Sequence, residues 1–537
     1  MLSSKNTVAL PESGIIVRRT GKYNYVYKVL RAFRNEKGQP TNTRKLIGRL
    51  NADGDRLVPN DSYYELYGPD TNTEFTPEVQ SDVSVGVPLL MENILTRLGA
   101  KKVLEEVFGS RRACEVVTAA SYMASEGCVF EYVSDWCERS MLGGSPLSPQ
   151  KASSLFASVT HDERMKFFKG WVTANAQHDY LAYDVTSFSS YAEGVKDLEW
   201  GYNRDGEKLP QFNLGCYLSQ ERRMPMFYVT YPGSIVDKAH FPYMMAYNDE
   251  LGIGDDIVFI LDKGFCATPN VNLMHSKGIH YIMSVDARHK TTLAAIDSVR
   301  DEIHLLQNMI GKGLYAVKVR SRFYGETSDM HVYYNHELVE PQRCDLIKLV
   351  ENTENELAQL KEITSKQLKR YSRFFDIKTN DDKILSFERN YEKINAAAKN
   401  NGIFCILTNT SKSSLEVLSI YRNKDTIEKG FDDVKNHLDM KRIRAHTEAT
   451  ISGKVFCAFI GLIVASEMAN GLSEYNATHK ERTLSKRGLV WELEKIKVYI
   501  TPNGRRLLNP LTKKQRELLE TFKISEADVK AYISNKN

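Results

Sequence analysis

The chain has 537 residues, 42% hydrophobic and 26% charged, which is too long for one core and predicts about two to four domains of ordinary globular composition. The longest apolar run, Val455 to Ala465, lies between Lys454 and Glu467 and falls short of the ~20 residues of a membrane span, so it predicts a buried core helix and no membrane partner. The net charge is +4, the N-terminal MLSSKNTVALPESG lacks the pattern of a secretory signal, and eight cysteines without a C-x-x-C pair argue against a zinc ribbon or disulfide framework and for reduced thiols in a cytoplasm.

The charge is unevenly placed. Between Gly14 and Leu50 there are ten Lys and Arg against one acid, Glu36, and the next thirty-odd residues set Asp53, Asp55, Asp61, Glu65, Asp70, Glu74, Glu78 and Asp82 against Arg56. This polarity fits a nucleic-acid-facing arm followed by a solvated linker, and equally a charged surface hairpin. Residues 15–50 alternate around a Gly-Gln-Pro turn, so 1–75 reads as a small basic β-rich region with an acidic linker. From Pro88 to about Phe168 apolar residues recur at helical spacing, with a stop at Gly109, and 76–170 reads as a helical module, either DNA-binding or an ordinary bundle.

At 171–289 the pattern becomes mixed. DYLAYDVTSF, QFNLGCYLS and MFYVTYP predict an antiparallel meander, and a helix near 240–251 leads into the buried strand of DDIVFILDKGF. A helix near 269–277 and the strand HYIMSVD follow, giving an α/β fold with a mixed sheet flanked by helices. Residues 290–402 read as an insertion, with a strand pair and a charged helical stretch over 341–372. The second core part, 403–475, holds the strand GIFCILTNT and a helix opened by a Ser413/Glu416 capping box. The region 476–537 reads as helical, and Lys480 to Arg506 carries eight cations and three acids.

Three carboxylates stand out. Asp184 lies in the first core strand, Asp262 ends VFILD, and Glu428 sits on the helix YRNKDTIEKGFDDVK. At 100° per residue Tyr421, Lys424, Glu428 and Lys435 share a stripe about 60° wide, beside an apolar stripe of Ile427, Phe431, Val434 and Leu438. A lone Asp at a strand end is ordinarily a cap or a salt-bridge partner. Two Asp on neighbouring strands plus a Glu on a packed helix are a set that can hold two Mg²⁺, or Mn²⁺, for phosphoryl displacement. His275 and His280 have ligand-like spacing but no partner pair, and read as structural or surface residues.

YRNKDTIEKGFDDVK resembles the Y-x2-R-x3-E-x6-K motif of DDE transposases from bacterial insertion sequences, the IS-four-like superfamily. YDVTSF and LDKGF resemble that family's first and second Asp motifs, and GYNRDGEKLPQFNLG and FYVTYPGSIVD resemble its linking strands in the branch with a long N-terminal region. The likeness is strongest over 180–285 and 403–470. It implies an RNase H-like core with Asp184, Asp262 and Glu428 as the catalytic, metal-binding triad. It also implies Tyr421, Lys424 and Lys435 on phosphates, joined by the neighbouring Arg422, Lys441, Arg442 and Arg444. The motif's Arg position holds Lys424, with Arg422 two residues earlier; Lys keeps the charge without the bidentate fork. No Trp lies between 262 and 428; Tyr315, Phe323, Tyr324 or Tyr333 could stand in for the insertion-domain stacking residue of the resembled family, but each reads more readily as a core residue.

The expected function is cut-and-paste DNA transposition: cleavage of element ends, then attack of the freed 3′-OH on target DNA. DNA would be the partner, as terminal inverted repeats and as target, with a dimer in the synaptic complex. The competing readings are an RNase H-like nuclease without strand transfer and a non-catalytic DNA-binding protein. The absence of G-x-x-x-x-G-K-[ST] argues against nucleotide hydrolysis.

Overall fold

A computed structural model describes residues 7–536 apart from 36, 69–80, 145, 177–178, 204–205, 255, 381–382, 438–441 and 503, and without the side chains of 426, 427, 429–431, 433–435 and 437. The chain divides into two compact units, Met1–Ser84 with Ile496–Pro510, and Val85–Lys495 with Leu511–Asn537.

In the first unit, β1 (Ile15–Thr20), β2 (Tyr23–Arg34), β3 (Pro40–Leu50) and β4 (Leu57–Pro59) form an antiparallel sheet in that order. Its small core is Val8, Val26, Ile47, Leu57 and Tyr63. The acidic stretch read as a linker is in part structured: β4 closes the sheet, and the helix Asp61–Tyr67 follows, capped by Asn60, whose side chain accepts the Tyr63 N–H at 3.2 Å. Asp70, Glu74 and Glu78 lie outside the described residues. The C-terminal region, expected to be helical, contributes two strands here. Lys497–Ile500 pairs with β5 (Ser81–Ser84) and with Arg506–Leu508, and Val498 is fully buried opposite Val83. Alternation over a few residues between helices carries too little apolar weight to announce such strands.

The second unit opens with the helices Gly86–Arg97, Ala100–Glu126, Val133–Glu138, Pro149–Ser158 and His161–Asn175. Gly109 interrupts the long helix at φ 72°, ψ 158°, a conformation closed to residues with a Cβ. The helix Glu448–Thr478 buries the whole run Val455–Ala465, the core helix the composition predicts.

The nine-stranded sheet is built from β6 (Tyr180–Ser189), β7 (Gln211–Ser219), β8 (Met224–Pro232), β9 (Val258–Leu261), β10 (His280–Val285), β11 (Met309–Gly311), β12 (Leu314–Phe323), β13 (Glu326–Asn335) and, after β14 (Phe375–Asn380) and β15 (Lys383–Arg389), β16 (Ile403–Thr408). The spatial order is β11-β12-β13-β16-β10-β9-β6-β7-β8. β6, β7 and β8 are an antiparallel meander, and β9 and β10 run parallel to β6. With helices against it, this is the mixed α/β sheet that the sequence predicts.

The insertion boundaries differ from the expected 290–402. β13 pairs with β16 over Asp329↔Thr408 to Tyr334↔Ile403, so β11–β13 extend the core sheet and satisfy an edge that would otherwise be open. Residues 339–398 make a separate small core around Val350, Leu357, Tyr371, Phe374 and Phe375. The charged helix breaks into Val339–Gln359 and Ser365–Tyr371, because Thr364 and Gln367 start a new helix with a capping box. Phe323, Tyr324 and Tyr333 are buried, which removes them as stacking residues, and Tyr315 is half-buried.

Candidate active site

The site is assembled by strand register. β6 and β9 pair in parallel through Ala182↔Ile260, and β9 and β10 through Met283↔Leu261. Continuing both registers sets Asp184, Asp262 and Ser284 in one row across three adjacent strands. Side chains alternate along a strand. Tyr183 therefore packs on the other face, against Tyr217, Phe241 and Phe265, and Asp184 looks away from them. Asp184 is half-buried opposite Cys216, and its charge reaches the buried Cys216 thiol, which burial first and Asp184 second push up. Asp262 is exposed where β9 ends, and its carboxylate accepts the Lys263 N–H at 2.7 Å.

The helix Ser414–His437 crosses this row, and bonds at its start and from the segment at Ile443 tie this stretch of chain to its neighbours. At its start the Glu416 carboxylate accepts the N–H and hydroxyl of Ser413 at 2.9 and 2.6 Å, a box worth about 1 kcal/mol. Tyr333 donates to the Ser414 carbonyl at 2.7 Å, and Gln220 donates to that of Ile420 at 3.1 Å. Beyond the helix, the Ile443 N–H bonds the Ser189 carbonyl at 3.0 Å, and Ser190 donates back to Ile443 at 3.1 Å.

This placement brings Tyr421 and Glu428 to the carboxylate row. Glu428 is half-buried, and its carboxyl is pushed up to about 7 by burial first, then by the charge of Asp184, with Asp262 adding in the same direction. Lys424 opposes them: its ammonium bonds Glu428, and it is only 4% exposed. The Tyr421 phenol is raised by burial, with the Ser284 hydroxyl bonding it and the charges of Asp262 and Glu428 pressing the same way as burial.

The other expected DNA contacts are more scattered. Arg422 is exposed, and its charge is felt at Tyr333. Arg442 bonds Glu207 at 2.8 Å and lies 5.6 Å over the Tyr191 ring, while exposed Arg444 lends its carbonyl to Lys454 at 3.0 Å. The side chain of Lys435, all of Lys441, and Ile427, Phe431, Val434 and Leu438 of the apolar stripe lie outside the described side chains. His275 bonds the Ser328 and Tyr281 hydroxyls at 3.1 and 3.2 Å, a structural role.

Sequence reasoning missed Ser284, whose signal was a small polar residue at the matching level of the next parallel strand. It also missed Asp286, held down to about 2 mainly by its bond to Arg288 and further by Lys263, so Lys263 faces this pair beside Asp262.

The three acids offer hard oxygens, the chemistry of a Mg²⁺ or Mn²⁺ site. Among the described residues no three His, Cys, Asp or Glu side chains already converge as a metal cluster. Among the described residues the Lys424 ammonium bonds Glu428, a stand-in for a metal's charge there.

Comparison with known proteins adds a family. No curated protein matches the chain. Among solved structures it is similar to a piggyBac transposase in a cryo-EM synaptic complex with hairpin DNA, at 7% identity and a TM-score of 0.29, over 66% of this chain and 57% of that one. The chain thus spans less than two thirds of that protein's length. The family model for the transposase DDE domain matches residues 175–463, more than half of the chain and all of the Asp184, Asp262 and Glu428 region. The protein belongs to the DDE transposase family.

Proposed function

We propose that the protein is a cut-and-paste DNA transposase of the IS-four-like branch, with Asp184, Asp262 and Glu428 as its catalytic acids. The observation that carries this reading is electrostatic: Asp184 and Asp262 both act on a half-buried Glu428 that a separate helix delivers to them. Register sets Asp184 and Asp262 in one row and a packed helix brings Glu428 beside them, and a fold keeps such acids together where a cation is to be bound. Asp184, Asp262 and Glu428 would hold Mg²⁺, which when bound supplies Lewis-acid stabilisation of charge on the phosphate.

The protein's own groups have distinct tasks in this reading. Tyr421, held by Ser284, presents a phenol to a phosphate oxygen beside the acids. Lys424 neutralises Glu428 before metal binds, and on release it is placed to meet the phosphate. Arg422 and Arg444, both exposed, would hold the DNA backbone on either side. Terminal repeats and target DNA would be the substrates, with two protomers bringing two ends together. Eight free cysteines fit a reducing bacterial cytoplasm, where the protein would lie on the nucleoid.

The test is strand cleavage of duplexes taken from the DNA flanking the protein's gene, with and without Mg²⁺, by the wild type and Glu428→Gln. Metal-dependent cuts at a fixed position that disappear in the variant are expected. Cleavage surviving in Glu428→Gln would place the active site elsewhere. Cuts never followed by joining to a second duplex would leave a nuclease.

A further inference from the structure

Of the ten Lys and Arg between Gly14 and Leu50, only Lys45 forms an ion pair among the described residues, with Glu65. The other nine have no carboxylate partner there, so the first unit carries a concentration of uncompensated positive charge.

Strand pairing gives that charge a shape. β1 pairs with β2 only as far as Lys28, and β4 pairs with β3 only from Gly48 onward. Past those points, apart from the Val29 N–H on the Gly14 carbonyl at 2.8 Å, β2 and β3 pair only with each other, from Val29↔Arg44 to Arg34↔Pro40. At about 3.4 Å per residue pair, this two-stranded ribbon and its turn reach roughly 15 Å beyond the four-stranded sheet. The major groove of duplex DNA is about 8.5 Å deep and 12 Å wide, and it admits a two-stranded ribbon.

The ribbon's tip is organised. The Asn35 side chain accepts the N–H groups of Lys37 and Gln39 at 3.1 and 2.9 Å, and Arg34 donates to the Gly38 carbonyl at 2.7 Å. Leu30 is the extra residue of a bulge at the ribbon's root, and it and Phe33 are 53% and 45% exposed. Bulges of this kind bend a strand pair and re-aim it.

Register sorts the faces. Arg31 shares one face with Thr43, and Asn42 shares the opposite face with Arg44 and Ala32. Arg and Asn are the side chains that pair bidentately with guanine and adenine edges in the major groove, and a small apolar group suits a thymine methyl. The Asn42 side chain makes no hydrogen bond among the described residues, and Arg44 rests over the Tyr27 ring at 5.3 Å.

We infer that the ribbon of β2 and β3 enters the major groove of duplex DNA, with Asn42 and Arg44 on base edges and Arg31 and Lys37 on phosphates. This rests on the reading of the protein as a DNA transposase and adds the element that reads sequence. The test measures binding of the full-length protein by fluorescence anisotropy across a salt series. The probes are one duplex from the gene's flanking DNA and one of scrambled sequence. Asn42→Ala is expected to weaken binding to the flanking duplex roughly tenfold and to the scrambled one hardly at all. Arg31→Ala is expected to weaken both and to lower the salt slope by about 1. Methylation of guanine N7 in the flanking duplex should block the wild type. Wild-type binding by both variants, or blockage by a minor-groove ligand in place of N7 methylation, would overturn the inference. Mg²⁺-dependent cleavage is followed in parallel. Variants that bind and cut like a cutting wild type sink the ribbon alone. A wild type that never cuts but loses binding with Asn42→Ala sinks the catalytic reading alone.

Discussion

Asp184 and Asp262 stand level with each other on adjacent parallel strands, because the pairing Ala182↔Ile260 carries forward by two residues to this pair. Asp184 is inside β6, and Asp262 is the first residue past β9, where it caps the short turn Lys263–Phe265. Two carboxylates fixed at neighbouring-strand spacing are pre-set to share cations, and removing either charge should cost the same function. Asp184→Asn and Asp262→Asn are each expected to lower Mg²⁺-dependent cleavage by several kcal/mol of transition-state stabilisation, roughly 1000-fold or more. The double variant should be little worse than either single one, because acids that share one metal site would act as a unit. Single-turnover cleavage of an end-labelled duplex measures this, and independent, multiplying losses would count against a shared site.

The raised Glu428 carboxyl makes a prediction about stability without metal. Its folded value of about 7 lies above the ordinary 4.5, so the folded state holds this proton more tightly than the unfolded chain does. The stabilising contribution is complete below about pH 4.5 and is lost as the pH rises toward 7. At about 1.4 kcal/mol per tenfold change in proton affinity, the loss amounts to roughly 3 kcal/mol at most. Urea midpoints of wild type and Glu428→Gln, taken in chelator, should therefore agree near pH 4 and diverge by pH 8, with the wild type the weaker. Parallel curves across that range would mean that Glu428 does not feel Asp184 and Asp262.

Much of this site is legible in the sequence because it uses strong local signals. Asp262 closes an unbroken apolar strand, and Ser413 and Glu416 announce the helix that carries Glu428 three turns later. The core strands are readable for the same reason, since each is a short apolar run between turn residues. Less legible is anything decided by pairing between distant segments. The extension of the sheet by β13 on β16 joins residues about seventy apart, and the strand Lys497–Ile500 finds its partner at Ser81–Ser84. Lys424 shows the limit most clearly. Helical spacing puts it on the same stripe as Glu428, but only the packing around it decides that its ammonium turns inward to the carboxylate.

That inward turn gives Lys424 a competing relation with metal. Lys424→Met deletes the ammonium and leaves Glu428 beside two other acids without the one counter-charge it bonds among the described residues. Breaking a buried pair from one side costs about 3–5 kcal/mol when the remaining charge stays ionised. The variant should therefore unfold earlier than wild type at pH 8 in chelator. It should recover more stability than wild type on adding Mg²⁺, because metal no longer displaces a resident cation. Thermal melts with a Mg²⁺ titration test both halves. An equal gain from Mg²⁺ in the two proteins would show that Lys424 and metal do not compete.

The scaffold under the site depends on a close approach between two helices. A Cβ added at Gly453 would lie 1.9 Å from the Phe156 carbonyl oxygen, so the helix Glu448–Thr478 meets Pro149–Ser158 where only a hydrogen fits. Both partners are backbone, and no side chain can swing aside to make room. Gly453 has ordinary helical surroundings, so alanine there would gain up to about 1 kcal/mol of helix propensity if packing were indifferent. Overpacking of a tight contact costs about 1–3 kcal/mol, and here the clash is with a rigid carbonyl, so the steric term wins. Gly453→Ala is expected to lower the urea midpoint by an amount matching about 1–2 kcal/mol net. Because Lys454 reaches back to the Arg444 carbonyl at 3.0 Å, a displaced helix also pulls on the segment that ties the Glu428 helix to β6. Cleavage should fall along with stability in this variant. Full stability in Gly453→Ala would show that the two helices are not in contact at this point.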